Sequence, residues 1–177
     1  MKIAVTDACI FIDLIELKLI SPFFKLGSTP LELEIHTTLE VIDELYPEQQ
    51  EILKAYETSQ QLTIHNNSAE GLEEIQSFNF PKALSQQDKS VIYVASQLKA
   101  MVLSSDKPVR NFAKKIAVEV HGMFWIFDQL VDKNLLDQEE AIIKIRQLMH
   151  TNLIYQNNIQ LWKEANKRIT SWGGNVE

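Results

Sequence analysis

The chain has 177 residues, 45% of them apolar and 23% charged, enough for one substantial core and too apolar for a disordered chain. Its single cysteine excludes a disulfide framework and a Cys-rich zinc site, and its five Gly and five Pro exclude collagen-like and linker-dominated chains. Seventeen basic against 24 acidic residues leave a formal charge of −7. That balance argues against broad nucleic-acid coating but allows a local basic rim, or an acidic centre around a divalent cation.

Residues 2–6 (KIAVT) predict a short buried strand. Ile10, Phe11, Leu14 and Leu17 then share one face of a helix. Ser21-Pro22 reads as the cap and first position of another short helix, and 27–30 as a loop. Residues 33–37 (LEIHT) predict a second strand. Thr37-Thr38-Leu39-Glu40 opens the next helix as a capping box, and Pro47 ends that helix and starts one over about 48–59. Residues 62–65 (LTIH) predict a third strand, and Asn66-Asn67-Ser68 caps a helix running to about Phe78. Ser85-Gln86-Gln87-Asp88 is a second capping box, opening a helix to about Lys99. Residues 101–104 and 117–120 predict the fourth and fifth strands, with a helix led by Pro108 between them. The remainder reads as helices over about 123–132, 138–150 and 158–170, with a fraying tail at 173–177.

Strands alternating with helices imply crossover connections and a mainly parallel sheet covered on both faces. Ligands of such sheets bind beyond the carboxyl ends of the strands, near the point where strand order reverses. Asp7 directly follows the first strand and Asp106 the fourth. Glu40 and Glu44 lie one turn apart on the helix after the second strand, and Asp88 opens the helix that feeds the fourth. Taken singly, each acid has a plain structural reading. Asp7 and Asp106 suit helix caps or turns, and Asp88 and Glu40 suit capping boxes. Taken together they form a carboxylate cluster, which needs a hard cation such as Mg2+ or Mn2+ to offset its repulsion. That combination points to phosphodiester hydrolysis.

These segments resemble the PIN domain, a family of metal-dependent ribonucleases that includes VapC-like toxins. The resemblance rests on Ile3-Ala4-Val5-Thr6-Asp7, on Val41-Ile42-Asp43-Glu44-Leu45, on Leu84-Ser85-Gln86-Gln87-Asp88 and on Met101-Val102-Leu103-Ser104-Ser105-Asp106. The stretch 117–127, with its helix led by Gly122, resembles the family's closing strand and helix. The resemblance implies a three-layer α/β/α sandwich over about 1–135, in which Asp7, Glu44, Asp88 and Asp106 hold Mg2+ or Mn2+. It further implies RNA as the substrate and, for a toxin, an antitoxin protein as the partner. Residues 8 and 9 depart from the pattern: Ala8 and Cys9 stand where many members carry Thr and then Asn or Ser.

Lys107, Arg110, Lys114 and Lys115 follow Asp106 and read as either a solvated helix face or a phosphate-contacting rim. Thr6 and Ser105 flank the acids and could hydrogen-bond a ligand there. The four histidines have no metal-ligand spacing, Cys9 reads as a small buried side chain, and Trp125 reads as core. Residues 136–177 form a helical extension with more apolar surface than it can bury alone. It is expected to pack on the parent domain, or alternatively to meet a second copy or a small inhibitory partner. No signal-peptide core or membrane span is apparent, so a cytoplasmic protein is expected. The leading functional expectation is a metal-dependent ribonuclease. The alternative is a catalytically weak RNA- or protein-binding module on the same fold. An acid-centred phosphatase lacks the second Asp two residues on and the phosphate-binding Gly loop.

Overall fold

The computed structural model describes residues 2–176. Five strands form one sheet: β1 (Lys2–Thr6), β2 (Leu33–Thr38), β3 (Leu62–His65), β4 (Met101–Leu103) and β5 (Val120–His121). Every pairing is parallel, in the order β3-β2-β1-β4-β5, so the sheet is the central layer of an α/β/α sandwich. The chain steps outward from β1 to β3, then returns to the other side of β1 for β4. Strand order therefore reverses between β1 and β4, and the carboxyl ends at such a reversal are where sheets of this kind bind ligands. The register sets Thr6 opposite Leu103 and Leu103 opposite His121. The ladder runs one residue further on each side: Asp7 N donates to Leu103 O at 3.0 Å, and Ser104 N to His121 O at 2.9 Å.

The helices are α1 (Ala8–Glu16), α2 (Ile20–Phe24), α3 (Leu39–Glu44), α4 (Pro47–Thr58), α5 (Ala69–Ser77) and α6 (Gln86–Leu98). They continue with α7 (Lys107–Lys115), α8 (Met123–Asp132), α9 (Gln138–Thr151), α10 (Leu153–Gln156) and α11 (Ile159–Ser171). The core is one continuous apolar cluster. It joins Val5, Ile10, Phe11 and Leu103 of the sheet side to Phe127 and Leu130, and onward to Ile145, Met149, Tyr155 and Ile169 of the last helices. No helix among the described residues is long and apolar enough to cross a membrane.

Several local expectations shift. The cap of α3 is Thr38, whose Oγ1 accepts from Val41 N at 3.4 Å, while Thr37 Oγ1 donates to Thr6 O at 2.8 Å. The expected strand at 117–120 shortens to Val120–His121, because the backbone before it closes α7. There Ala117 is left-handed at φ 58° and Val118 N donates to Ala113 O. Residues 25–28 form a 3₁₀ turn rather than part of an open loop. The start of the tail packs back on α11. Gly174 N donates to Ile169 O at 2.8 Å, and a Cβ on Gly174 would lie 2.8 Å from the Ile169 side chain. Glu177 lies outside the described residues.

Candidate metal centre

The end of β1 places Asp7 at the carboxyl ends of β1 and β4, where it is 5% exposed. Its Oδ1 accepts the Ala8 amide at 2.7 Å, so it caps α1 as well. Its Oδ2 accepts from Ser104 Oγ at 2.7 Å and from the Cys9 thiol at 3.4 Å. Ser104, fully buried at the end of β4, in turn accepts the Asp106 amide at 3.1 Å. One serine thus fixes the first acid and the backbone of the last across the switch point.

Burial pushes the Asp7 carboxyl up to about 6, opposed by the Ser104 hydroxyl and reinforced by the charge of Asp88. Glu44 is also raised, first by desolvation and then by Asp88. Asp106 is raised by the same two causes in the same order, with the Val109 and Lys107 amides opposing. Asp106 stands at the N-cap position of α7 but makes no side-chain cap bond. Three acids from three different junctions therefore feel one common neighbour, Asp88.

Asp88 reaches that position through its capping box. Its Oδ2 accepts Ser85 N at 2.7 Å, and its own amide donates to Ser85 Oγ at 3.1 Å. Helix α6 is held against the end of β2 by Ser90, whose hydroxyl lies 2.7 Å from that of Thr38. Glu40 points elsewhere: its Oε1 accepts from Asn67 Nδ2 at 3.1 Å. Of the two glutamates the sequence leaves open, Glu44 is the one that feels the charge of Asp88.

The donor set is all oxygen and strongly anionic, which suits a hard divalent cation and not a soft one. As the side chains stand, no three His, Cys, Asp or Glu among the described residues lie close enough together to hold one ion. The chemistry of the set fits such an ion, and ligation requires the carboxylates to draw together.

Cys9 sits among these groups as a neutral thiol. Burial first and the Asp7 charge second raise it well above its ordinary value, so it is no thiolate nucleophile. It accepts the Ser105 amide at 3.3 Å. Thr6 is fully buried, and its Oγ1 has no partner among the described residues. Along α7, Lys107, Lys114 and Lys115 are exposed, while Arg110 is half-buried and donates to Ser104 O at 3.0 Å. His36 and His65 pair with each other at 2.8 Å, away from the acids, and burial lowers both. His121 pairs with Glu119 at 2.7 Å and stacks on Trp125, which is half-buried against the core.

Three buried polar side chains, Ser104, Tyr155 and Asp13, are not apparent in the sequence. Ser104 was hidden by its place at the end of an apolar strand. Tyr155 comes from α10, and its hydroxyl lies 2.8 Å from Ser105 Oγ. Asp13, 2% exposed on α1, receives Asn152 Nδ2 at 2.7 Å. The available signal for Asp13 was an acid inside an otherwise apolar helix turn, ACIFIDLIE.

Residues 3–168 match a family model described as a PIN domain. No match was found among curated proteins. Among solved structures, the chain is similar to a PilT N-terminus domain protein SSO1118 from the hyperthermophilic archaeon Sulfolobus solfataricus P2. The two are 18% identical, with a TM-score of 0.45, over 74% of this chain and 92% of that one.

Proposed function

The chain belongs to the PIN-domain family, and from that premise we propose that it hydrolyses RNA phosphodiester bonds with a divalent cation, Mg2+ or Mn2+. The observation that carries this reading is the juxtaposition of Asp7 and Asp106 at the carboxyl ends of β1 and β4, joined through the Ser104 hydroxyl; the charge of Asp88, felt by Asp7, Glu44 and Asp106, supports it. Those four carboxylates would hold the ion. When bound, it supplies positive charge against the charge that develops on the phosphoryl oxygens. Ser104 is a positioning residue, since its hydroxyl orients the Asp7 carboxylate. Lys107 and Arg110 border Asp106 and supply the cationic rim for substrate phosphates.

The test is cleavage of single-stranded RNA by the purified chain. Mn2+ or Mg2+ should support cleavage and excess EDTA should abolish it. Asp7→Asn and Asp106→Asn should each lower the rate by at least about 100-fold while leaving the far-UV circular dichroism unchanged. Undiminished cleavage in EDTA contradicts the reading.

One observation favours the alternative, a PIN-like module that binds RNA or protein with little turnover: no three acids stand at gripping distance. RNA binding without Mn2+-dependent cleavage would select it. A toxin role belongs to the same proposal, with an antitoxin or a second copy covering the exposed Ile143, Leu153 and Ile159 of the last helices. Growth arrest on expression, relieved by an adjacent gene product, tests that role.

A further inference from the structure

A cavity of about 330 Å3 opens between α7, α8 and the C-terminal helices. Ser105, which directly precedes Asp106 in the chain, is part of its wall, whereas Asp7, Glu44, Asp88 and Asp106 are not. Arg110, His121, Trp125, Tyr155 and Arg168 also line it. The volume lies at the small end of the range for ligand pockets, roughly 300–1,000 Å3, enough for one nucleotide and too small for a duplex.

The walls divide into two kinds. Arg168 is committed: it grips Asp128 through two hydrogen bonds of 2.8 and 2.7 Å and lies over the Phe124 ring at 5.0 Å. It braces α11 against α8. Arg110 is different. Its Nη1 donates to Ser104 O, and it meets no carboxylate at ion-pair distance among the described residues. Its charge is therefore available to a phosphate. The opposite chemistry comes from His121 and Trp125, stacked with centroids 4.8 Å apart and planes 19° apart. Glu119 holds the His121 ring in place at 2.7 Å. An aromatic pair and a guanidinium without a carboxylate partner, lining one cavity, offer a stacking surface for a base and a charge for its phosphate. The Tyr155 and Ser105 hydroxyls, 2.8 Å apart, both belong to the cavity wall.

We propose that this cavity is a subsite for the nucleotide of single-stranded RNA next to the scissile phosphate, with the base on His121–Trp125 and the phosphate on Arg110. The proposal rests on the ribonuclease reading above and adds to it that the C-terminal helices form one wall of the substrate site.

The test is steady-state cleavage of an oligoribonucleotide of six uridines in Mn2+ by the full chain. His121→Ala, Trp125→Leu and Arg110→Gln should each raise KM by about 5- to 100-fold, with a much smaller change in kcat. His121 is half-exposed, so it decides the matter if the Trp125 variant does not fold. Unchanged KM in His121→Ala and Arg110→Gln overturns the subsite while leaving the ribonuclease reading intact, as does a loss confined to kcat. If the wild-type chain cleaves no RNA in Mn2+ or Mg2+, the ribonuclease reading fails and the subsite falls with it.

Discussion

The Asp88 carboxylate accepts the Ser85 amide and also charges the surroundings of Asp7, Glu44 and Asp106. The capping reading of this residue is observed, and the site reading that the sequence sets beside it is compatible with it, since the same carboxylate's charge reaches the other three acids. The same holds for Asp7, which caps α1 while standing at the carboxyl ends of β1 and β4. Glu40 and Glu44 could not be separated by spacing, because residues one turn apart share a helix face; the Asn67 amide that takes Glu40 comes from a distant loop. Asp13 was illegible for a related reason, since its partner Asn152 lies 139 positions away. Burial pushes Asp13 up to about 6 from 3.8, and its Oδ2 has no partner among the described residues. The folded state therefore holds a proton between pH 4 and 6 that the unfolded state releases, and this contribution to stability is lost as pH rises through that window. Asp13→Asn keeps the acceptor for Asn152 and removes the buried charge. It should stabilise the protein by about 1–2 kcal/mol at pH 8, with the difference vanishing near pH 4, measured by urea unfolding.

Among elements, those with a chemical start signal were legible. The Ser85–Asp88 box opens α6 with both reciprocal hydrogen bonds, and Ser68 caps α5 through the Gly71 amide. Ser85→Ala should cost about 1 kcal/mol in urea unfolding, and a change below about 0.3 kcal/mol would show that the box carries little of α6. Elements whose limits are set by neighbours were not legible. The apolar stretch 117–120 has the composition of a strand, yet its first residues are used to close α7 through Ala117 and Val118. Helix α10 spans one turn, too short to display a period, and it is fixed by the Asn152 cap and by Tyr155 docking on Ser105.

At the scale of the molecule, alternation of strands and helices was enough to foresee a mainly parallel sheet; that its order reverses between β1 and β4 comes from the strand pairing. Which side of the sheet the last helices cover was not foreseen, because it depends on contacts such as Arg168 with Asp128 and Tyr155 with Ser105. Fully buried Ile145 and Met149 and nearly buried Ile169 join the same core as Phe127. A chain ending at residue 135 would expose that apolar surface. It should lose near-UV circular dichroism and a cooperative urea transition, and a truncated chain that unfolds as sharply as the full one would show that the last helices are a separate layer. In the proposed centre, acids from four separate junctions make one cation site. Its most direct test is anomalous diffraction from a crystal soaked in Mn2+. The expected result is a manganese peak bounded by Asp7 and Asp106, with Glu44 or Asp88 drawn toward it. A crystal saturated with Mn2+ that shows no peak there would contradict the account.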